Sequence, residues 1–177
     1  MKPTTFQPGP PAAVASHRGE DGRWTLIFVR DLRHPPEKVW EALTDPAQLR
    51  EWAPFNADRD LGDLGEATLT MIDGDTTEDL SASVVRADPP ALLEYTWGSD
   101  HLRWELTPTG TGTRLTLRHT VAEREWLPKA AAGWHLCLVV AERMLDGHPI
   151  GPIRGSDAHN YGWDELHDAY AERLTPP

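Results

Sequence analysis

The stretch RLTLRHTVAEREWLPKAAAGWHLCLVVAERMLDG, residues 114–147, joins a strand pattern to a helix pattern and decides the fold. In residues 114–121 apolar side chains alternate with polar ones, as they do in a β-strand with one buried face. From about Pro128 to Leu145 apolar residues recur at helical spacing, and the Pro/Gly-rich connector GHPIGPIRG follows. A long helix after such a strand is expected to cover one face of the sheet.

Several further strand patterns precede this stretch along the chain. They are WTLIFVRDL (24–32), EATLTMI (66–72), DLSASVVRA (79–87), LLEYTW (92–97) and HLRWEL (101–106). Asp73-Gly74 and Asp88-Pro89-Pro90 supply turn signals between neighbouring runs. Strands joined by short turns pair as an antiparallel meander, so the sequence predicts one antiparallel sheet.

Two short helices are predicted between the first strand and the meander. Pro35 and Pro36 open the helix PEKVWEALTD, and Pro46 opens PAQLREW after a turn at Asp45. A strand, two short helices, a meander and a long helix together indicate an α+β fold. We therefore predict a bent antiparallel sheet around the long helix, with a cavity between them.

The segments on either side of this predicted domain, residues 23–147, differ in character. Residues 1–22 are rich in Pro, Ala, Gly and Ser without apolar periodicity, which predicts a flexible leader. Residues 148–177 are predicted to form a C-terminal extension with an amphipathic helix. Its apolar stripe consists of Trp163, Leu166, Tyr170 and Leu174. Such a helix can dock on its own domain or on a second copy, so a homodimer stays open.

Charge and composition argue against several classes of partner. The net charge is −11, from 28 acidic and 17 basic residues, and such a surface repels nucleic acid and anionic membranes. No apolar run approaches the roughly 20 residues of a membrane-spanning helix. The N-terminus lacks the apolar segment of a secretory signal, and the single cysteine, Cys137, suits a reducing compartment. We therefore expect a cytoplasmic protein.

The sequence contains no motif for nucleotide binding, metal binding or covalent catalysis. It has no P-loop, dinucleotide fingerprint or nucleophile elbow. The acidic run DGDTTEDL (73–80) lacks the ligand periodicity of a calcium loop and is explained by a hairpin turn. His148, His159 and His167 have no metal-ligand spacing with Cys137. Neither a cofactor nor a metal is predicted.

The segment PPEKVWEALTDPAQLREW (35–52) resembles the opening helices of the AHSA1-like branch of the SRPBCC (START/Bet v 1-like) superfamily. VRDL, LLEYTW, GTRLTLRHTV and GWHLCLVVAERMLDG follow the same order, so the resemblance covers about residues 24–147. It implies a helix-grip fold: a curved antiparallel sheet wrapped around a long C-terminal helix, with a hydrophobic cavity between them. The superfamily includes lipid and steroid carriers, polyketide cyclases and Hsp90 activators, so the fold does not choose among these functions.

The sequence departs from the family pattern at two points. Trp52 is followed by Ala53, where the family often has a second tryptophan. The eukaryotic co-chaperones also carry a separate Hsp90-binding domain, for which this chain is expected to have no room.

Residues expected on the inner face of the sheet and on the facing side of the long helix are the candidate ligand-binding residues. They are Tyr95, Trp97, Trp104, Leu117, His119, Trp134 and Leu138. The aromatic members can line a cavity or simply fill the core. His119 is the best polar candidate, either as a ligand anchor or proton carrier, or as a core histidine with hydrogen-bond partners.

Three other polar residues are given structural roles. His135 falls on the flank of the long helix and is predicted to pair with Glu142 or to contact the tail helix. Arg30 and Glu94 are predicted to be surface or paired strand charges.

Three functions remain open from the sequence. The first is a small cytoplasmic carrier or sensor that binds a hydrophobic small molecule without catalysis. The second is an enzyme of the polyketide cyclase or dehydratase kind, in which His119 or Tyr95 moves protons. The third is an interaction module similar to the Hsp90-ATPase activators, which would act through its outer surface.

Overall fold

An eight-stranded antiparallel sheet forms the body of the protein in the computed structural model, which describes residues 6–174. The strands are β1 (Ala13–Arg18), β2 (Trp24–Leu32), β3 (Phe55–Ala57), β4 (Gly65–Asp73), β5 (Thr76–Asp88), β6 (Leu92–Trp97), β7 (Asp100–Pro108) and β8 (Thr113–Val121). Their order across the sheet is β1-β2-β8-β7-β6-β5-β4-β3. The first strand of the predicted domain, β2, therefore pairs with the last strand, β8.

Within residues 6–174, four α-helices and one 3₁₀ helix accompany the sheet. They are α1 (Pro36–Thr44), α2 (Pro46–Trp52), α3 (Trp126–Leu145), the 3₁₀ helix (Gly155–Tyr161) and α4 (Trp163–Leu174). Asp45 separates the first two helices, and its carboxylate caps α2 by accepting a hydrogen bond from the Ala47 amide at 3.1 Å. The curved sheet with its long and tail helices confirms the predicted α+β helix-grip fold.

The alternation in β8 places one row of side chains against α3. Leu115, Leu117, His119 and Val121 are all buried. Leu117 lies opposite Trp104 of β7, and His119 lies opposite Leu102. This row forms the inner face of the sheet.

The long helix α3 is buried on more than one side. Its residues from Trp134 to Ala141 are all buried, including those that face away from the sheet. The tail helix α4 packs on α3 within the same chain, and its Leu166, Tyr170 and Leu174 are buried. The structure therefore shows the first of the two predicted arrangements, in which the tail helix docks on its own domain.

The predicted flexible leader is wrong for part of residues 1–22, because Ala13–Arg18 form β1. This strand pairs with β2 at the edge of the sheet, from Ala13 opposite Val29 to Arg18 opposite Trp24. Its side chains are exposed or only half-buried, so backbone hydrogen bonds hold it rather than an apolar face. Periodicity could not reveal it for that reason. Residues 1–5 of the leader lie outside the described residues.

A buried hydrogen-bond network ties α4 and the N-terminal segment to α3. The amide of Ala12 donates to the Tyr170 hydroxyl at 2.7 Å, and this hydroxyl donates to His135 Nδ1 at 2.6 Å. His135 Nε2 donates to the carbonyl of Pro8 at 2.6 Å. Both ring nitrogens of His135 are satisfied in the neutral state, because a carbonyl can only accept a hydrogen bond.

The sequence therefore predicted correctly that His135 has a structural role. The residue contacts the tail helix, whereas Glu142 pairs with Arg30 at 3.0 Å instead of with His135. Burial lowers the pKa of His135 from its ordinary value of 6.5; the Pro8 carbonyl raises it and the charge of Arg30 lowers it further.

A second anchor holds the 3₁₀ helix against the β4–β5 hairpin. Asp73 Oδ1 accepts hydrogen bonds from the amide and the hydroxyl of Ser156 at 3.1 and 3.0 Å. Gly155 has a φ of 57°, and a Cβ atom at this position would collide with the Asp73 carboxylate. Only glycine therefore allows the chain to pass this close to Asp73.

We expect His135 to make the stability of the protein depend on pH. Its folded-state pKa is lower than its unfolded-state value, so its contribution is fully present above pH 6.5 and is lost as pH falls below that value. His135→Gln should destabilise the protein at pH 7.5, and this deficit should be smaller at pH 5. Urea unfolding at both pH values measures the deficit.

His17, an exposed residue of β1, provides the control, because it lies outside the buried network of His135 and Tyr170 and His17→Gln should have little effect on stability. An equal deficit of His135→Gln at both pH values would contradict the neutral, buried role of this histidine.

We also expect Gly155→Ala to destabilise the protein more than Gly151→Ala does. Both glycines have positive φ, so both substitutions should cost about 1–2 kcal/mol from backbone strain. Only Gly155→Ala also displaces Asp73, since the Cβ position at Gly151 has no neighbour within 4 Å. Equal losses in chemical denaturation would show that the Asp73 contact contributes nothing.

Candidate functional site

A cavity of about 490 Å³ lies at one end of the space between the sheet and α3. The β4–β5 hairpin, the ends of β6 and β8, and the first half of α3 contribute to its wall. The C-terminal extension completes the wall with Ile153, Arg154, Gly155, Ala158 and Trp163. The site is therefore built by the predicted domain and the extension together.

The structure places three of the seven candidate ligand-binding residues in the cavity wall. These are Trp97, His119 and Trp134. Tyr95, Trp104, Leu117 and Leu138 are buried in the core, each at most 1% exposed, and do not belong to the lining. Alternation predicted the inner face correctly, but the cavity occupies only the end of that face where β6 and β8 finish and α3 begins.

Trp97, His119 and Trp134 of the wall form one contiguous aromatic cluster with Trp104 of the core. The ring of Trp134 lies 5.8 Å from that of Trp97 and 5.2 Å from that of Trp104, both in edge-to-face geometry. Trp97 also contacts the ring of His119 at 5.7 Å. Edge-to-face packing fixes ring orientations, so this part of the wall is rigid and apolar.

Both nitrogens of His119 are engaged by protein groups. The indole N–H of Trp134 donates to His119 Nδ1 at 2.9 Å. An indole nitrogen can only donate, so the ring proton of neutral His119 is on Nε2, which donates to the Asp100 carboxylate at 2.8 Å. The nitrogens of His119, a residue of the cavity wall, therefore hold α3 and the start of β7 together.

Sequence reasoning missed Asp100 as the partner of His119. A usable signal existed, because Asp100 continues the alternation of Leu102, Trp104 and Leu106 on the inner face of β7. It was hidden by the adjacent turn, where polar residues are expected anyway. Arg30 and Glu94, by contrast, are paired charges as predicted, the latter with Arg103 at 2.7 Å and His101 at 3.0 Å.

Arg154 is the main polar group that the extension brings to the cavity. Its Nε donates to the carbonyl of Ala53 at 2.9 Å. Its Nη2 donates to the carbonyl of Phe55 at 3.2 Å and to the side-chain oxygen of Asn56 at 2.8 Å. The sequence did not predict this role, because the Pro/Gly-rich connector that contains Arg154 has only the pattern of a linker.

Two further groups near the site stay protonated at neutral pH. Burial raises the pKa of the Cys137 thiol to about 12, although Arg154 acts in the opposite direction. Burial also raises the pKa of the Tyr95 hydroxyl well above its usual range, against the hydrogen bond from Trp104. Neither group is therefore a base or a nucleophile in this fold.

One buried polar atom of the wall has no partner among the described residues. The indole nitrogen of Trp97 is buried and makes no hydrogen bond to any of residues 6–174. A buried donor without an acceptor costs about 1–3 kcal/mol.

The described residues offer neither a metal site nor a membrane span. No group of three or more His, Cys, Asp and Glu side chains among residues 6–174 has the geometry to hold a metal ion. None of the helices in that range is long and apolar enough to span a membrane.

Comparison with solved structures finds the same fold in bacterial proteins. CalU16 from Micromonospora echinospora is 21% identical, with 91% of this chain and 95% of that chain covered and a TM-score of 0.65. MLL2253 from Mesorhizobium loti is 28% identical over 70% of this chain and 97% of its own, with a TM-score of 0.61. An AHSA1-like protein from Aeromonas hydrophila is 17% identical over 70% and 92% of the two chains, with a TM-score of 0.59.

The structural match and the family match cover different lengths of the chain. The match to CalU16 covers more of this chain than residues 23–147 can supply, so it includes segments outside the predicted domain. Comparison with curated proteins found no match. The family model described as "Activator of Hsp90 ATPase homolog 1-like protein" matches residues 33–143. The chain therefore belongs to the AHSA1 family, in the AHSA1-like branch of the SRPBCC superfamily.

Proposed function

We propose that this protein is a small cytoplasmic carrier or sensor that binds a hydrophobic small molecule in the cavity between the sheet and α3. The observation that carries the proposal is the cavity of about 490 Å³, whose exposed lining is mainly apolar. Small-molecule sites typically measure roughly 300–1,000 Å³ and combine apolar walls with a few polar groups. The cavity has this size and this composition.

Gly133 supports the proposal, because the fold does not require a glycine there. It lies inside α3, where glycine is less favourable than alanine by about 1 kcal/mol. Its φ is not positive, and a Cβ atom at this position would have no neighbour within 4 Å. Gly133 lines the cavity, so its missing side chain leaves space that a larger residue would fill.

We expect two substitutions of Gly133 to have opposite effects on stability and binding. Gly133→Ala should stabilise the protein by about 0.5–1 kcal/mol and leave binding intact, because a methyl group fits the open space. Gly133→Leu should also fold but should weaken binding of the neutral fluorescent probe N-phenyl-1-naphthylamine at least tenfold. Fluorescence titration measures the binding, and urea unfolding measures the stability.

The two variants at one position control for each other, since both remove the helical glycine and only one occupies the cavity. Unchanged probe binding by Gly133→Leu, or no probe binding by the wild type, would contradict the proposal.

A second candidate function is proton transfer on a bound ligand, as in polyketide cyclases or dehydratases. The Asp100–His119 pair at the cavity wall favours it, since a carboxylate orients a histidine for acid–base work. His119 Nδ1 already accepts a hydrogen bond from Trp134, so the indole must first release it before Nδ1 can take a proton from a ligand. This requirement makes the carrier the better-supported proposal. The Hsp90-activator alternative rests on the family description alone.

The carrier proposal predicts that a bound ligand is chemically unchanged. After prolonged incubation, ligand extracted from the wild type and from Asp100→Asn should have the same mass and the same retention time as the starting compound. Mass spectrometry coupled to liquid chromatography measures both. Conversion by the wild type that is lost in Asp100→Asn, with binding retained, would establish the enzyme instead.

A further inference from the structure

We infer that the ligand is a hydrophobic organic acid, whose anionic group is bound by Arg154 at the wall formed by the C-terminal extension. This inference rests on the proposed function and names the ligand class. Arg154 follows the segment that matches the family, residues 33–143. The anion subsite would therefore be a property of the extension and not of the family domain.

The hydrogen bonds of Arg154 leave part of its guanidinium group available. A guanidinium has five N–H donors. The N–H donor on Nε and the two N–H donors on Nη2 are directed to oxygens of Ala53, Phe55 and Asn56. The remaining nitrogen, Nη1, donates no hydrogen bond to any of residues 6–174. These three contacts fix the plane of the group, while the two donors on Nη1 remain for a ligand.

The charge of Arg154 has no counter-ion within the described part of the chain. All its hydrogen-bond acceptors are neutral oxygens, and no carboxylate of residues 6–174 lies within 4.0 Å of its nitrogens. Burial lowers the pKa of Arg154 from its ordinary range, and the nearby charge of Arg50 acts in the same direction. A half-buried cation of this kind is stabilised by an anionic partner, because burial has already removed part of its hydration.

The other charged groups around the cavity do not serve as this partner. Asp73 is occupied by the amide and hydroxyl of Ser156. Glu78 is exposed on the β4–β5 hairpin. Lys129 is the other cation in the lining, and its ammonium lies 4.5 Å from the ring of Trp126. Arg154 is the cation that combines fixed geometry with free donors.

A matched pair of fluorescent probes tests the inference. 1-Anilinonaphthalene-8-sulfonate and N-phenyl-1-naphthylamine share one ring system, and only the first carries an anionic group. We expect Arg154→Gln to weaken binding of the sulfonate about tenfold or more, because a charge-assisted hydrogen bond is lost. Binding of the neutral probe should change less than twofold. Lys129→Gln is the charge-matched control and should affect the sulfonate less than Arg154→Gln does.

A competition experiment on the wild-type protein does not depend on whether any variant folds. Decanoate and 1-decanol have the same chain length, and each is titrated against bound N-phenyl-1-naphthylamine. We expect decanoate to displace the probe at a concentration at least tenfold lower than 1-decanol. Equal displacement by both, or an equal loss of both fluorescent probes in Arg154→Gln, would overturn the inference.

The outcomes separate this inference from the proposed function. If the neutral probe binds and anions are not preferred, the proposal of a hydrophobic binder stands and only the role of Arg154 is rejected. Absence of neutral-probe binding by the wild type would reject the proposed function itself.

Discussion

Ala130 and Gly133 in the first half of α3 are too small to fill the space that the curved sheet leaves beside them. Leu138 and Leu145, farther along the helix, pack against the core, whereas Ala130 and Gly133 leave an opening. The sheet cannot close this gap, because its strands are fixed by their ladders and by the large rings of Trp97 and Trp134. The cavity, its position and its apolar character all depend on this mismatch between helix and sheet.

The C-terminal extension supplies one wall of this opening. It is held by the Asp73–Ser156 contacts at the hairpin and by the His135–Tyr170 contact at the far side of α3. Just before the first of these anchors in the chain, Arg154 reaches the segment that links α2 to β3. Ala53, which stands where the family often has a second tryptophan, is fully buried, and its carbonyl accepts the bond from Arg154 Nε.

The sequence predicted the parts of the protein whose periodicity is strong. The alternation in β6, β7 and β8 and the helical spacing in α3 identified the fold and the inner face, including His119 and Trp134. Sequence reasoning failed where backbone contacts or distant partners decide the structure. β1 is held by its ladder to β2, and Arg154 acquires its role only when the extension folds back on Ala53. Periodicity also could not say that Tyr95 and Trp104 lie in the filled part of the inner face.

Native mass spectrometry of the freshly purified protein is the decisive measurement of ligand binding, because it detects an occupied cavity whatever the ligand is. We expect one discrete added mass per chain, either as purified or after incubation with a mixture of fatty acids and neutral aromatic compounds. The added mass should disappear under denaturing conditions. A spectrum of the bare polypeptide in both cases would contradict the assignment of this cavity as a ligand-binding site.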